Sequence, residues 1–281
     1  NSWDTENFDA PDDPKDATPR LKVRGWLTEE ASRRVAQGGG ADLDQLRKAA
    51  ERRDFRPIPL TIRIWAQLQN EVRRVRSANV LALLPGSDPA LRKEAVAVTA
   101  HFDHLGTQPD YKGDDKIFNG AIDNATGVAA LLELAEAFAK SPTPPKRSLL
   151  FLSVTLEESG LLGSRYYVQN PVMSLKDTVA TINMDALQVI GKTRDVVVIG
   201  FGNSELEDIL KRHAEAQGRI IVPEPTPENG FYYRSDHFNF ARAGVPSLYA
   251  KNGIDHVEQG EAYGRQLAAD YVAQRYHKPS D

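Results

Sequence analysis

Apolar positions recur at two different periods along this chain, and the texture changes near residue 76. From Leu60 to Gln69, LTIRIWAQLQ alternates with a period of about two, which predicts an exposed antiparallel strand. Upstream of it, Leu27-Thr28-Glu29-Glu30 opens a short helix with Thr28 as N-cap. GGGAD at 38–42 is a break, and Leu43–Arg53 is a second, charged helix. Residues 1–20, rich in Asp, Pro and Asn, read as an irregular solvated segment.

Past residue 76 the apolar runs are short, dense and bounded by turn residues. ANVLALLPGSD and EAVAVTAHFDH carry strands, and GVAALLELAEAFAK (127–140) has helical periodicity. The order then repeats: strand RSLLFLSVTL, helix from Gly163, strand TVATINMDAL, strand DVVVIG, helix over 204–217, strand RIIVPE. Strands alternating with helices predict an α/β domain with both faces of its sheet covered. In such sheets functional groups gather at the carboxyl ends of the strands. Residues 1–76 are therefore set apart from an α/β domain over 77–281.

Composition narrows the function classes. The net charge of −4 offers no electrostatic attraction to nucleic acid or anionic membranes, and no run approaches the roughly 18 apolar residues of a membrane span. With no cysteine, disulfide frameworks and thiolate metal sites are excluded, and either redox compartment is compatible. The chain opens on Asn1 and stops at HKPSD, so it is expected to be a processed form or a piece of something longer.

The strand ends carry a consistent chemistry. VTAHFDHLG supplies His101, Asp103 and His104; NGAIDNATG places Asp123 immediately before a helix; TLEESG supplies Glu157 and Glu158; TINMDA supplies Asp185; RYHKPSD supplies Tyr276 and His277. Singly each has a bland reading: a structural histidine, a helix N-cap at Asp123, a turn at Asp185, a solvated glutamate pair. Four successive strand ends bearing imidazoles and carboxylates point instead to a metal site with an open position, as catalytic Zn²⁺ requires. Two histidines and three carboxylates suffice for two ions sharing one carboxylate.

HFDHLG, NGAIDNATGVAALLELA, EESGLLGS, NMDA, YRSDHFNFARAGVP and YHKPSD, in this order over roughly 77–281, resemble the zinc-dependent aminopeptidases of the co-catalytic di-zinc exopeptidase superfamily. That group includes bacterial leucyl aminopeptidases, glutamate carboxypeptidase II and, more distantly, glutaminyl cyclases. The resemblance implies a three-layer α/β/α sandwich with a mixed, mostly parallel sheet. It implies two Zn²⁺ ions, with Asp123 bridging, His101 and Asp185 completing one and Glu158 with His277 the other. Glu157 is then the general base for a zinc-activated water, and Tyr276 the phenol that stabilises the oxyanion. Asp103 is the carboxylate that orients the His101 imidazole. His104 is placed outside the ligand set, His237 is passed over for His277, and His213 and His256 are structural or solvated.

The same resemblance makes residues 1–76 the tail of a protease-associated-type insert and the catalytic domain truncated at its C-terminus. It implies peptide substrates with a free N-terminus, held by Asp185 and Glu157, and a secreted or periplasmic location. The rivals are a glutaminyl cyclase, in which Trp rather than Tyr276 precedes the last histidine; a carboxypeptidase, which needs an arginine converging on the site; and a non-catalytic relative, which would have lost ligands.

Overall fold

The computed structural model describes residues 8–9, 25–65, 67, 69 and 71–281. The chain divides into two compact units, residues 12–75 and a larger one of residues 76–281 with 1–11. In the smaller unit the Thr28 hydroxyl caps α1 (Glu29–Gly38), accepting from the Ala31 N–H at 3.2 Å, and Asp42 caps α2 (Leu43–Ala50) in the same way. Paired Arg33–Asp44 and Arg47–Glu29 contacts join the two helices. The second helix stops short of the expected Arg53.

Among the described residues of 60–69 the expected strand does not form. Residues 60–65, 67 and 69 pair with no strand, while Ala66 and Leu68 lie outside the described residues. A lone extended segment has no ladder to satisfy its backbone groups, so alternation alone does not make a strand. Of the irregular segment expected over residues 1–20, only Phe8 and Asp9 are among the described residues.

The larger unit follows the predicted alternation. Its strands are β1 (Val80–Leu84), β2 (Ala95–His101), β3 (Gly106–Thr107), β4 (Ile117–Phe118), β5 (Ser148–Val154), β6 (Thr178–Asn183), β7 (Asp195–Val198), β8 (Ile220–Pro223) and β9 (Ser247–Asn252). Its helices are α3 (Thr126–Ala139), α4 (Leu162–Gln169), α5 (Leu206–Ala216), α6 (His237–Arg242) and α7 (Gly260–Gln274). Seven strands form one sheet in the order β1-β5-β2-β6-β9-β7-β8. β5, β2, β6 and β9 run parallel, β8 runs parallel to β7, and the β1–β5 and β7–β9 pairs are antiparallel. Among the described residues no helix is long and apolar enough to cross a membrane.

Period-two alternation along β5 explains the layering. Leu150, Leu152 and Val154 turn to one face, where they meet Ala97, Tyr167 of α4 and Phe240 of α6. Leu149 and Phe151 turn to the other, joining Val98, Ala100, Met184 and Leu131 of α3. Both faces are thus buried, which is why the strand reads as a continuous apolar run. The consequence for function lies in the order β5-β2-β6: three adjacent parallel strands deliver their carboxyl ends side by side.

Candidate metal centre

His101 is the last residue of β2, at the middle of that edge. On one side the chain leaves β5 through Leu156, at φ 55°, and reaches Glu157 and Glu158. On the other it leaves β6 at Asn183, and Asp185 follows in a turn that continues through Ala186 at φ 52°. Asp123 comes from the turn that enters α3, and its peptide bond to Asn124 is cis. His277 and Tyr276 arrive from beyond α7, with their rings stacked at 3.9 Å.

The separations decide what this cluster can hold. Ligands about 2.0–2.1 Å from a tetrahedral ion lie roughly 3.3 Å apart. His101 Nε2 is 3.2 Å from Asp123 Oδ1 and 3.6 Å from Asp185 Oδ1. His277 Nε2 is 3.4 Å from Asp123 Oδ2 and 3.1 Å from Glu158 Oε2. Both groups use Asp123, one oxygen each. The buried His101 Nε2 has no hydrogen-bond partner, as expected of an atom that faces a cation. Two borderline-soft ions such as Zn²⁺ fit this nitrogen and oxygen donor set.

His104, placed outside the ligand set on sequence, comes closer than that. Its Nδ1 lies 2.8 Å from Glu158 Oε1, and together with Asp123 and Glu158 it can bring three ligand atoms within 4.8 Å of one another. The 2.8 Å separation suits a contact that steadies Glu158 better than two ligands of one tetrahedral ion. His237 is fully buried between the rings of Tyr232 and Tyr249 and joins neither group; burial pulls its pKa down to about 4, so it is neutral. His256 is buried, with Nδ1 accepting from the Glu258 and Gln259 N–H groups, and His213 is on α5.

Asp103 works differently from its expected role. Its carboxylate is 3.9 Å from His101 Nδ1, too far for a hydrogen bond, whereas its backbone carbonyl is at 3.0 Å. The carboxylate instead accepts from the N–H groups of Glu157 and Glu158, at 3.1 and 3.3 Å. The sharp turn after β5 leaves those two amides without a ladder partner, and Asp103 fills that need.

Two further supports carried no signal in the sequence pattern. Asp185 Oδ2 accepts from the Ser235 hydroxyl at 2.5 Å, Ser235 Oγ accepts from Asn183 at 2.7 Å, and Asn183 Oδ1 accepts from Thr99 at 2.6 Å, a buried chain that fixes the carboxylate. The Asn124 side chain donates to the Met184 carbonyl at 3.0 Å and accepts from the N–H groups of Gly127 and Ala186. It thereby ties the turn bearing Asp123 to the turn bearing Asp185. Gly127 is required there, since a Cβ would lie 2.5 Å from the Met184 carbonyl oxygen.

The electrostatics follow from crowding. Burial would lower the pKa of His101, yet the Asp123 and Asp185 carboxylates outweigh it and hold the imidazole charged far above its ordinary range. His277 is likewise raised, to about 9, by Asp123 and Glu158 against the effect of burial. Burial pushes the Glu157 carboxyl well up; the His101 charge opposes this, while Asp236, Asp185 and Glu158 push further up. Burial and the nearby carboxylates also keep the Tyr276 phenol protonated. Glu157, Glu158, Asp123, Asp185, Tyr276 and His277 all line one cavity of about 290 Å³.

These features describe a cluster at the edge of an α/β sheet that could hold metal ions. Residues 79–281 match the model of Peptidase family M28, so the chain belongs to that family, as the six sequence motifs implied. It is 27% identical over 235 residues to a probable leucine aminopeptidase 2 of Aspergillus fumigatus, covering 79% of this chain and 42% of that protein. It is 34% identical over 135 residues to a probable zinc metalloprotease of Pyrenophora teres, covering 48% of this chain and 24% of that one. The fold is also that of the Legionella pneumophila LapA aminopeptidase crystal structure, at 19% identity and a TM-score of 0.51 over 72% of this chain and 55% of that one. The chain spans only 24–43% of the length of the curated relatives it matches.

Proposed function

We propose that this chain carries the catalytic centre of a zinc-dependent aminopeptidase, with His101, Asp185 and Asp123 holding one Zn²⁺ and Asp123, Glu158 and His277 the other. The observation that carries the reading is the set of four imidazole–carboxylate separations of 3.1–3.6 Å, two of them to Asp123, one through each of its oxygens. When bound, the ions supply a polarised peptide carbonyl and a water acidic enough to ionise near neutral pH. Glu157, beside the ligand Glu158, takes the water proton and returns it to the leaving amine. Its raised pKa suits the first half of that exchange, because a more basic carboxylate takes the water proton more readily. The Tyr276 phenol donates to the oxyanion that develops at the scissile carbonyl. Asp103 sets the backbone from which Glu157 and Glu158 project.

Exopeptidase action is supported by size and charge. A cavity of about 290 Å³ is at the low end for ligand pockets, roughly 300–1,000 Å³, and has room for one terminal residue. A free α-amine docked among Asp185 and Glu157 exchanges hydration for carboxylate contacts, which an acetylated amine cannot do. Peptides with a free N-terminus are therefore expected to be cut, and their N-acetylated counterparts at least 100-fold more slowly. Equal rates on the two would overturn the aminopeptidase assignment and leave the hydrolase.

A second reading has one observation in its favour. The carboxypeptidase alternative needs an arginine at the site, and Arg234 lines the same cavity.

A further inference from the structure

Arg234 is not the only cation on that cavity wall, and hydrolysis as described uses neither. Lys251, in β9, holds its Nζ 5.2 Å from the centroid of the Tyr249 ring and 5.5 Å from that of Phe231. The Arg234 guanidinium stands 5.5 Å from the same Phe231 ring, and its Nη2 is 3.5 Å from the Tyr276 hydroxyl. Among the described residues no carboxylate comes within ion-pair distance of either cation. Aromatic faces hold such cations in place but do not neutralise them.

Charge makes the absence of a partner informative. In the reading above, Asp123, Asp185 and Glu158 serve the two Zn²⁺ ions and Glu157 serves the water, so none of these carboxylates is assigned to either cation. The two side-chain cations remain on the cavity wall, Lys251 half-buried and Arg234 exposed to solvent, each free to meet an anion that enters. A guanidinium presents a planar fork suited to a carboxylate, and an ammonium adds a point charge beside it. We propose that Lys251 and Arg234 form a carboxylate subsite, so that the preferred substrate brings an anion into the cavity. This rests on the hydrolase reading of the same cavity and adds the substrate class to it. The anion has two sources: an acidic N-terminal side chain, or the α-carboxylate of a short peptide.

The test uses the Zn²⁺-loaded protein with two arms. The first compares Asp-, Glu-, Leu- and Lys-p-nitroanilides; the second compares Leu-Gly with Leu-Gly-amide. In one arm the anionic member should lead by tenfold or more in kcat/KM, mainly through KM, and the arm that responds identifies the source. Lys251→Glu should abolish that lead and, in the first arm, favour Lys-p-nitroanilide, with zinc content unchanged. No anionic lead in either arm, or a lead that survives Lys251→Glu, overturns the proposal. Loss of zinc in Lys251→Glu also overturns it, since Lys251 would then serve only to stabilise the neighbouring Asp185. If no substrate is cut at all, the hydrolase reading fails, and calorimetry still tests the subsite. Free aspartate or the Gly-Gly dipeptide should bind at least tenfold more tightly than leucinamide, and equal affinities would refute it.

Discussion

Replacing Asn124 with alanine should damage the metal centre without touching a ligand. The side chain makes three buried hydrogen bonds, at 3.0 Å to the Met184 carbonyl, 3.0 Å from the Gly127 N–H and 3.2 Å from the Ala186 N–H. Each such bond contributes about 1 kcal/mol net, and each buried group left unpaired costs about 1–3 kcal/mol. With partial relaxation the loss should be about 4 kcal/mol, which for a unit of this size lowers the melting temperature by roughly 10 °C. The same bonds hold the Asp123 turn against the Asp185 turn, so zinc should be lost at lower chelator concentration as well. Thermal unfolding with zinc and with EDTA, together with zinc analysis after graded chelation, reads both effects. A drop of less than about 2 °C with unchanged zinc retention would refute the tethering role.

Two other outcomes follow from the assigned geometry. Glu157→Gln removes the proton shuttle but no ligand, so it should keep its zinc and lose about 10²–10⁴-fold in kcat, the usual span for a general base; near-normal turnover would refute the assignment. Zinc uptake should also release protons. His101 is held charged and His277 is raised to about 9, so at pH 7 both imidazoles are protonated in the free chain and must be neutral to bind. Calorimetry at pH 7 in buffers of different ionisation enthalpy should report about two protons released per chain, and affinity should rise with pH, more steeply below about 9 than above it. No net release would contradict the His277 assignment.

Much of the fold was legible because its signals are local. Burial on both faces makes β2 and β5 nearly continuous apolar runs, and the ends of β2, β5 and β6 carry polar residues that nothing in a core explains. The residues missed act across distance. Ser235 and Asn183 are 52 positions apart, and Asn124 reaches Met184 over 60, so no spacing rule links them. β9 was not read, because SLYAKN sets three apolar residues among a serine, a lysine and an asparagine, although the sheet pairs it between β6 and β7. That omission hid Lys251. Asp103 shows a different limit: the residue was marked by its place two after His101, but the atom that touches the ring is its carbonyl. The failed strand at 60–69 had a pattern and no partner.

The central claim is that Asp123 joins two ions, and the direct measurement is the zinc content of the chain rebuilt from the metal-free protein. Titrating Zn²⁺ under anaerobic, chelator-free conditions should saturate at two ions per chain, falling to none or one weakly held in Asp123→Ala. Saturation at one ion in the parent chain, or two ions still bound by Asp123→Ala, would contradict the account.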